Sequence, residues 1–253
     1  MADVLYETTN GVAVITLNRP EAKNALNGAV MDGLRSAFAN VASDPDVRVA
    51  ILTGAGGIFC SGMDLKAFAR GEKIDGSGLP FSSQNRLVLD KPLIAAVEGF
   101  CLAGGFEVAL SCDLIVASEA AKFGLPEVKR GLIAAGGGLV RLPRQAPWRV
   151  AMELVLTGEA VGADRMAHFG IVNRLAPAGE ALSVALQLAA AIAANGPLAI
   201  AASKRVMLQS AGLSEDEALA QQASEVGPVF ASNDAKEGAT AFAEKRPPVW
   251  RGN

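Results

Sequence analysis

The strongest constraint on the fold is the order in which two kinds of apolar pattern follow each other along the chain. Short β-branched runs, such as Val12–Leu17 (VAVITL) and 47–53 (VRVAILT), predict strands. From Asn27 onward, apolar residues recur at helical spacing, and Asn27 itself is expected to cap that helix. The two patterns alternate to about residue 175, after which only helical patterns follow. This order predicts an α/β core followed by a helical tail.

Further elements are expected on the same grounds. The predicted strands are Leu93–Val97, 114–117 and 170–175, and the predicted helices are 105–111, 148–157, 162–169, 178–194, 197–211, 214–231 and 234–244. The longest apolar stretch, 181–202, is interrupted by Asn195, Gly196 and Pro197, so it predicts two packed helices rather than a membrane span. Residues 71–83 are polar and glycine-rich, which predicts a mobile loop.

Composition and charge exclude several classes of function. A chain of 253 residues with 51% hydrophobic residues can bury a large core. The net charge of −3 and the absence of a basic run argue against nucleic-acid binding as a main role. The three cysteines show no CxxC spacing, which argues against a disulfide framework and favours a reducing compartment. The first residues, MADVLYETTNG, have no signal-peptide pattern, so we expect a soluble, cytoplasmic protein without a membrane partner.

Familiar catalytic and cofactor motifs are missing from the sequence. The single histidine, His168, precedes Gly170 at a predicted helix end, where its charge would suit the helix dipole, and we interpret it as structural. One histidine and no clustered cysteines predict no metal site. The segment AGGGL (135–139) follows no convincing strand and lacks the GxGxxG spacing, so no dinucleotide cofactor is expected. Any chemistry must therefore use carboxylates and backbone amides.

One carboxylate, Glu107, lies in the apolar run AGGFEVALSCD, where a buried acid is unusual unless it is paired or functional. Gly104 and Gly105 just before it are expected to open a helix. The first N–H groups of that helix would be free, and a ligand could approach its backbone closely. Met63, which follows Gly62 in a separate loop, could supply a second N–H. Two such donors would form an oxyanion hole.

A second carboxylate, Glu127, follows twenty residues later at a turn set by Pro126. Two carboxylates beside one apolar pocket would perturb each other, so that one could act as a base and the other as an acid. Each feature alone also has a purely structural interpretation. Gly104 and Gly105 could serve close helix packing, Glu107 could be a surface residue in the first turn of a helix, and Met63 could simply fill space in its turn. Their combination favours a catalytic site.

Five segments, taken in order, resemble the crotonase (enoyl-CoA hydratase/isomerase) superfamily, and the match covers nearly the whole chain. They are LNRPEAKNALN (17–27), FCSGMDLKAF (59–68), KPLIAAVEGFCLAGGFEVALSCDLIVAS (91–118), FGLPEVKRGLIAAGGGLVRLPR (123–144) and ASNDAKEGATAFAEKRPPVW (231–250). The resemblance implies a spiral of ββα turns over residues 1–195. It also implies a C-terminal helical trimerisation region over 196–253, with assembly as a homotrimer or a dimer of trimers.

The resemblance also implies an acyl-CoA thioester as substrate and a set of contacts for it. The backbone N–H groups of Met63 and Gly104 would bind the thioester oxygen. The coenzyme A moiety would run past Lys23, Ala25, Ser61, Asp64, Leu65 and Lys66. Lys245, from the C-terminal helix of a neighbouring subunit, would meet the phosphates. Coenzyme A is part of this substrate, so no separate cofactor is implied.

The two glutamates imply the reaction. Hydratases of the family carry acids at positions that match Glu107 and Glu127, so the resemblance implies hydration of a trans-2-enoyl-CoA in fatty acid or related acyl-CoA metabolism. Glu107 would orient and deprotonate the water, and Glu127 would protonate Cα. SGMDLKAF, GGFE and LPEVKRG also resemble the carnitinyl-CoA dehydratase branch. The same residues would further suit an isomerase that uses mainly Glu127, or a CoA-binding protein without turnover.

Two positions depart from the usual pattern of the family. Met63 stands in Ser-Gly-Met-Asp where the hydratase loop usually reads Ala-Gly-Ala-Asp, and its side chain is expected to reshape the acyl pocket. Ala135 stands where a glycine that contacts the water is usual, and an alanine has a narrower φ range.

Overall fold

The computed structural model describes residues 2–82 and 88–253, which contain nine strands and ten α-helices. The strands are β1 Val4–Thr9, β2 Val12–Leu17, β3 Val49–Gly54, β4 Leu93–Val97, β5 Phe100–Leu102, β6 Leu114–Ser118, β7 Lys122–Gly124, β8 Val161–Gly162 and β9 Arg174–Ala176. The helices are α1 Gly28–Ser43, α2 Leu65–Ala69, α3 Gly104–Ala109, α4 Gly138–Gln145, α5 Trp148–Thr157, α6 Ala163–His168, α7 Ala181–Ala193, α8 Pro197–Gln209, α9 Glu215–Ala231 and α10 Asn233–Glu244.

Six strands form the larger sheet, in the order β1-β2-β3-β4-β6-β9. β1 and β2 pair antiparallel, and the other neighbours pair parallel. Successive side chains of a strand face opposite sides of the sheet. In β3, Val49 and Ile51 pack in one apolar cluster with residues of α7, whereas Ala50 and Leu52 belong to the main core with residues of α1. Both faces are therefore buried, as parallel sheets require.

The smaller sheet explains how the ends of two distant segments come together. β5 and β7 pair parallel, with Leu102 opposite Gly124, and β8 pairs antiparallel with β7. After β5 the chain enters α3, and after β7 it enters a 3-10 helix, Pro126–Arg130. Because parallel strands end at the same edge, the residues that follow them start side by side. The ββα order of β4, β5 and α3 therefore brings the start of α3 next to Pro126–Arg130.

The longer predicted elements occur. Asn27 caps α1 by accepting a hydrogen bond from the N–H of Val30, as expected. The predicted strand 170–175 is wrong in extent, since Arg174–Ala176 forms the strand and the N–H of Ile171 bonds back to Met166 in the turn after α6. The elements that were not predicted are β1, β5, β7, β8, α2 and α4. β5, β7, β8 and α2 are too short for a periodic pattern, β1 is mostly exposed, and α4 contains Pro143, which disfavours a helix interior.

The C-terminal part is helical, as predicted. α7 packs on the larger sheet, whereas α8 packs against α9 and α9 against α10. The division at residues 195 and 196, and the role of 196–253 in trimerisation, stay predictions. In the described ranges, only α7 and α8 taken together, across a bend of 106°, have the length and composition of a membrane span; no single helix does. Residues 71–82 contain neither helix nor strand, and residue 83 lies outside the described residues.

Candidate active site

The residues predicted to act together line one cleft with a volume of about 1260 Å³. The predicted site residues in its lining are Lys23, Ala25, Ser61, Met63, Asp64, Leu65, Lys66, Gly104, Glu107, Glu127 and Ala135. Lys245 lies outside this cleft, exposed at the C-terminal end of α10. Its contribution to the site of a neighbouring subunit stays a prediction.

One wall of the cleft is the start of α3. Its N-cap, Ala103, has φ 50° and ψ −130°, a backbone conformation that alanine rarely adopts. Three hydrogen bonds hold it there: Ala103 N–H donates to Gly124 C=O at 2.9 Å, and the N–H groups of Phe106 and Glu107 donate to Ala103 C=O at 2.9 and 3.1 Å. Gly104 is the first helical residue, so its N–H has no acceptor within the helix. The strained cap therefore fixes the direction of a free N–H.

The second wall is the loop that carries Met63. Leu26 pairs with Met63 as a parallel bridge, with Leu26 N–H donating to Gly62 C=O at 2.8 Å and Asp64 N–H donating to Leu26 C=O at 2.9 Å. In a parallel bridge of this kind, the residue whose two sequence neighbours make the hydrogen bonds points its own N–H away from the partner strand. Met63 therefore points its N–H away from Leu26.

The two walls touch, and glycines make this possible. A Cβ on Gly104 would lie 3.7 Å from the Met63 nitrogen. Gly62 has φ +100°, and a Cβ there would lie 2.5 Å from the Cβ of Ala103 and 3.2 Å from the Gly104 nitrogen. Two N–H groups from separate loops thus lie side by side in the cleft. This is the arrangement that stabilises a developing oxyanion.

Glu107 is buried, with 5% of its surface exposed, and is held by a glycine-rich cradle. Gly138 N–H donates to its Oε1 at 2.8 Å, and Gly136 N–H also bonds the carboxylate. Burial raises the pKa of Glu107, while these N–H groups and the charge of Arg141 oppose the rise. A Cβ at Gly136 would lie 2.7 Å from Oε2, and one at Gly138 would lie 2.9 Å from Cγ. A side chain at either position would therefore displace the Glu107 carboxylate from its donors.

The sequence did not predict this cradle. The run AGGGL was interpreted against a dinucleotide motif and, at Ala135, as a position that contacts the water, but not as a set of donors to Glu107, although its consecutive glycines signalled a close approach of some group to the backbone. Arg141 was not predicted either; its guanidinium donates to Gly136 C=O at 2.8 Å and to Phe81 C=O at 3.3 Å. It therefore ties the cradle to another part of the cleft wall. Ala135 has no positive φ, so the alanine is accommodated without backbone strain.

Glu127 is half-buried in the 3-10 helix Pro126–Arg130 and lines the same cleft. Its Oε2 is buried without a hydrogen-bond partner in the described part of the chain. Burial raises the pKa of Glu127, and the negative charge of Glu107 raises it further, against its own N–H and Arg130. A buried carboxyl oxygen without a partner favours the protonated form. Glu127 is thus suited to hold a proton and deliver it into the cleft.

Asp64 has local partners that define its role. Its carboxylate caps α2 by accepting from the N–H groups of Lys66 and Ala67, both at 3.1 Å, and it pairs with Arg19 at 3.2 Å. The bond from Ala67 N–H, together with Arg19, lowers the pKa of Asp64. Arg19 also donates to Ala25 C=O at 2.7 Å. Asp64 and the unpredicted Arg19 therefore join the two segments of the cleft wall that carry Ala25 and Lys66.

The rest of the cleft is lined by charged and by apolar side chains. Arg19, Lys23, Lys66, Arg70 and Arg130 supply positive charge, and Lys23 lies 5.6 Å from the centre of the Phe100 ring. The apolar lining includes Met31, Ile74, Phe81 and Leu132. A lining of this composition suits a ligand that has both an anionic part and an apolar part.

His168 ends α6, as predicted, and its ring lies 5.1 Å from that of Phe169 in an edge-on contact. It is not part of the cleft lining. Within residues 2–82 and 88–253, no group of three or more histidine, cysteine, aspartate or glutamate side chains could hold a metal ion.

Comparison with known sequences identifies relatives over the full length of the chain. The family model described as enoyl-CoA hydratase/isomerase matches residues 7–253. Enoyl-CoA hydratase EchA19 of Mycobacterium tuberculosis is 46% identical over 253 residues, covering 97% of this chain and 95% of the relative. Carnitinyl-CoA dehydratase of Escherichia coli K12 is 42% identical over 261 residues and covers 100% of both chains.

Solved structures with similar sequences also have a closely similar fold. The crystal structure of an enoyl-CoA hydratase from Mycobacterium tuberculosis H37Rv has a TM-score of 0.95 and 53% identity, with both chains covered completely. A carnitinyl-CoA hydratase from Mycobacterium avium has a TM-score of 0.79 and 44% identity over the same coverage. The chain belongs to the enoyl-CoA hydratase/isomerase family of the crotonase superfamily.

Proposed function

We propose that the protein is an enoyl-CoA hydratase, which adds water reversibly to the double bond of a trans-2-enoyl-CoA thioester. One observation carries the proposal: two carboxylates with raised pKa values, Glu107 and Glu127, line the same cleft as the adjacent N–H groups of Met63 and Gly104. An isomerase needs one acid to move a proton, whereas addition of water needs groups for both the water and Cα. The names of the relatives agree with this reaction.

The reaction follows from the charges of the site. The thioester oxygen accepts hydrogen bonds from the N–H groups of Met63 and Gly104. As water attacks Cβ, the electrons of the double bond shift towards that oxygen, where the two donors stabilise the enolate. Glu107 accepts the proton of the attacking water, and Glu127 gives its proton to Cα. Proton exchange then returns both carboxyl groups to their starting states.

The environments of the two acids suit these roles. Glu107 is held by backbone N–H donors, which favour its charged form as a base. Glu127 has an Oε2 that finds no partner among the described residues, and it faces the charge of Glu107; both favour the protonated form as an acid. The apolar surroundings exclude bulk water and strengthen both electrostatic effects.

We infer that the coenzyme A moiety lies along Lys23, Ala25, Ser61, Asp64, Leu65 and Lys66. The positive charge of Lys23 and Lys66 at the cleft supports this assignment, because phosphates carry the charge of coenzyme A. The apolar lining of the cleft, with Met31, Phe81 and Leu132, then receives the acyl chain. The setting that fits such a substrate is fatty acid or related acyl-CoA metabolism.

We also propose that the protein assembles as a homotrimer or a dimer of trimers through residues 196–253. Large apolar side chains on its helices support this, since Met207, Phe230 and Phe242 are 75%, 78% and 87% exposed. Contact with neighbouring subunits through these helices would cover such side chains. Light scattering should give three or six times the chain mass of 26.0 kDa. A mass of one chain at micromolar concentration would contradict the proposal.

A carnitinyl-CoA dehydratase is the second candidate. It is favoured by the 42% identity with such a dehydratase over the complete length of both chains. It would use the same two acids, in the reverse direction, on an acyl group that carries a trimethylammonium charge. A panel of acyl-CoA substrates decides between the two: higher kcat/KM for an enoyl-CoA with the trimethylammonium group than for unsubstituted enoyl-CoAs would identify the dehydratase.

The hydratase proposal is tested by following the loss of the enoyl absorbance of crotonyl-CoA. The wild-type protein should hydrate it, and Glu127→Gln should lower kcat by roughly 10²- to 10⁴-fold while acyl-CoA binding is retained. Glu119→Gln, an exposed glutamate outside the cleft, is the matched control and should keep full activity. A wild-type protein that binds enoyl-CoAs of several chain lengths and hydrates none would favour a CoA-binding protein without turnover. A Glu107→Gln variant that still shifts a 3-enoyl to a 2-enoyl double bond at the wild-type rate would identify an isomerase.

A further inference from the structure

Two buried thiols bond to the glycines that stand next to Met63 and Gly104 in the chain. Cys60 and Cys101 are both 0% exposed. They face each other in a parallel bridge, with Cys60 N–H donating to Phe100 C=O at 2.8 Å and Leu102 N–H donating to Cys60 C=O at 3.0 Å. Paired residues of neighbouring strands point to the same face and lie about 4.8 Å apart. The thiols therefore form a pair, and neither belongs to the groups that the reaction uses.

Cys60 contacts both walls of the site. Its Sγ accepts a hydrogen bond from Gly62 N–H at 3.4 Å, one residue before Met63. Its main chain supports the other wall, since a Cβ on Gly105 would lie 2.5 Å from Cys60 O and 2.8 Å from Cys60 Cβ. The bond to Gly62 fixes the backbone just before the peptide group whose N–H belongs to Met63. A change at Cys60 Sγ would therefore turn that N–H.

Cys101 holds the other wall. Its Sγ–H donates to Gly105 C=O at 3.6 Å, within the first turn of α3. That bond links β5 to the residue that follows Gly104. Burial raises the pKa of Cys60 to about 12 and raises that of Cys101 as well, so both remain neutral thiols that can donate and accept.

We propose that Cys60 and Cys101 are paired positioning residues that set the separation and direction of the Met63 and Gly104 N–H groups. This inference rests on the proposed function, since it assigns those N–H groups to the thioester oxygen. Each thiol bonds to a glycine in one wall, and the two thiols are joined by the backbone bridge between their strands. The pair thus couples two loops that are far apart in sequence.

The test compares variants of all three cysteines. Cys60→Ala removes the acceptor of Gly62 and should lower kcat about tenfold, because loss of an entire oxyanion donor costs roughly 10²- to 10³-fold and displacement of one costs part of that. KM should change less than about twofold, since the coenzyme A contacts are untouched. Cys60→Ser keeps an acceptor and should retain kcat within about threefold. Cys112→Ala is the matched control, because the Cys112 thiol bonds to Val108 C=O at 3.5 Å, at the C-terminal end of α3, and not to Gly62 or Gly105.

A second measurement does not depend on turnover. Infrared difference spectra of bound butyryl-CoA report how strongly the thioester carbonyl is polarised, and the band should shift less in Cys60→Ala than in the wild type, Cys60→Ser and Cys112→Ala. If Cys60→Ala does not fold, Cys101→Ala serves in both measurements, with the same expectation. Equal kcat and equal carbonyl bands in the alanine variant and the Cys112→Ala control would overturn the inference. If the wild type polarises the carbonyl normally but hydrates no enoyl-CoA, the proposed function fails and the infrared comparison still decides the role of the thiols.

Discussion

At the scale of single residues, the two glutamates show how identical side chains acquire different roles. Both pKa values are raised first by burial. Glu107 then receives two backbone N–H donors, which stabilise its charged form, whereas Glu127 faces the charge of Glu107 and has an Oε2 without a partner in the described ranges. Backbone donors thus favour the charged form of Glu107, whereas the charge of Glu107 favours the protonated form of Glu127. These opposite local effects suit Glu107 to act as the base and Glu127 as the acid.

A titration tests the coupling between these two residues. In Glu107→Gln the negative charge that raises the pKa of Glu127 is gone, so the pKa of Glu127 should fall relative to the wild type. Carbon NMR of labelled glutamate carboxyl groups measures this directly. Glu119→Gln, which removes an exposed carboxylate, serves as the control and should leave the Glu127 titration where it is. An unchanged pKa of Glu127 in Glu107→Gln would show that the two carboxylates do not interact.

The same raised pKa predicts a pH dependence of stability. A carboxyl group whose pKa is raised by folding contributes stability below its ordinary pKa, and this contribution is lost as the pH rises through the raised value. The melting temperature of Glu127→Gln, compared with that of the wild type, should therefore be higher at pH 8 than at pH 4. Calorimetry measures the melting temperatures of both proteins at pH 4 and pH 8. A difference between variant and wild type that is the same at both pH values would argue against a raised pKa for Glu127.

At the scale of elements, the site depends on how closely α3 lies on the strand below it. Gly105 is in contact with the main chain of Cys60, and Gly62 is in contact with Ala103 and Gly104. These contacts leave no room for side chains at Gly62 and Gly105. Because both residues are glycines, α3 can begin in direct contact with the segment that carries Cys60. The strained φ of Ala103 is held by the hydrogen bond to Gly124 and by the first bonds of the helix. Position, rather than helix propensity, accounts for glycine in the first turn of α3.

Gly105→Ala tests this packing. The added methyl group would lie 2.5 Å from a backbone oxygen that cannot rotate away, so the variant should lose about 1–3 kcal/mol of stability and also lose catalytic rate. Gly227→Ala in helix α9 is the matched control, because no described atom beyond its chain neighbours and its own helix backbone lies within 4 Å of its added methyl group; next to Pro228, it should change stability by at most about 1 kcal/mol in either direction. Urea unfolding of both variants provides the measurement. Equal stability of the two variants would contradict close packing at Gly105.

At the scale of the whole molecule, one predicted site residue is far from the cleft of its own chain. Lys245 is exposed just after α10, beside a helix whose Phe242 is 87% exposed. Under the proposed assembly, burial of this apolar surface would also bring the charge of Lys245 to a neighbouring cleft. Association and substrate binding would then share one segment of the chain.

Lys245→Ala tests that link. The variant should raise KM for an acyl-CoA roughly threefold to tenfold, equivalent to about 1 kcal/mol of a charged contact, with kcat unchanged. Steady-state kinetics with crotonyl-CoA give both constants. Lys236→Ala, which removes a lysine from the exposed surface of the same helix, is the control and should leave KM unaltered. If the two lysine variants behave alike, the assignment of Lys245 to the coenzyme A phosphates is wrong.

Much of this protein could be predicted from the sequence, because several decisive features are local. β-branched runs marked the longer parallel strands, Asn27 marked the start of α1, and Gly104 marked the start of α3. An acid within an apolar run indicated that Glu107 was buried, and the ordered motifs indicated the family. The wrong predictions have local causes as well. Pro143 disfavours a helix, so α4 was not predicted, and the turn after Gly170 was predicted as a strand.

The sequence by itself determined which chemical groups are available: two glutamates, glycine-flanked N–H groups, and neither a histidine cluster nor a catalytic serine motif. Only the tertiary structure decided how they act. The pairing of Cys60 with Cys101, of Leu26 with Met63, and of Leu102 with Gly124 brings together segments separated by 22 to 41 positions. No local pattern encodes such registers, since they depend on how distant strands align in a sheet. Those registers place the two N–H groups side by side, surround Glu107 with glycine donors, and leave one oxygen of Glu127 without a partner among the residues that the structure describes.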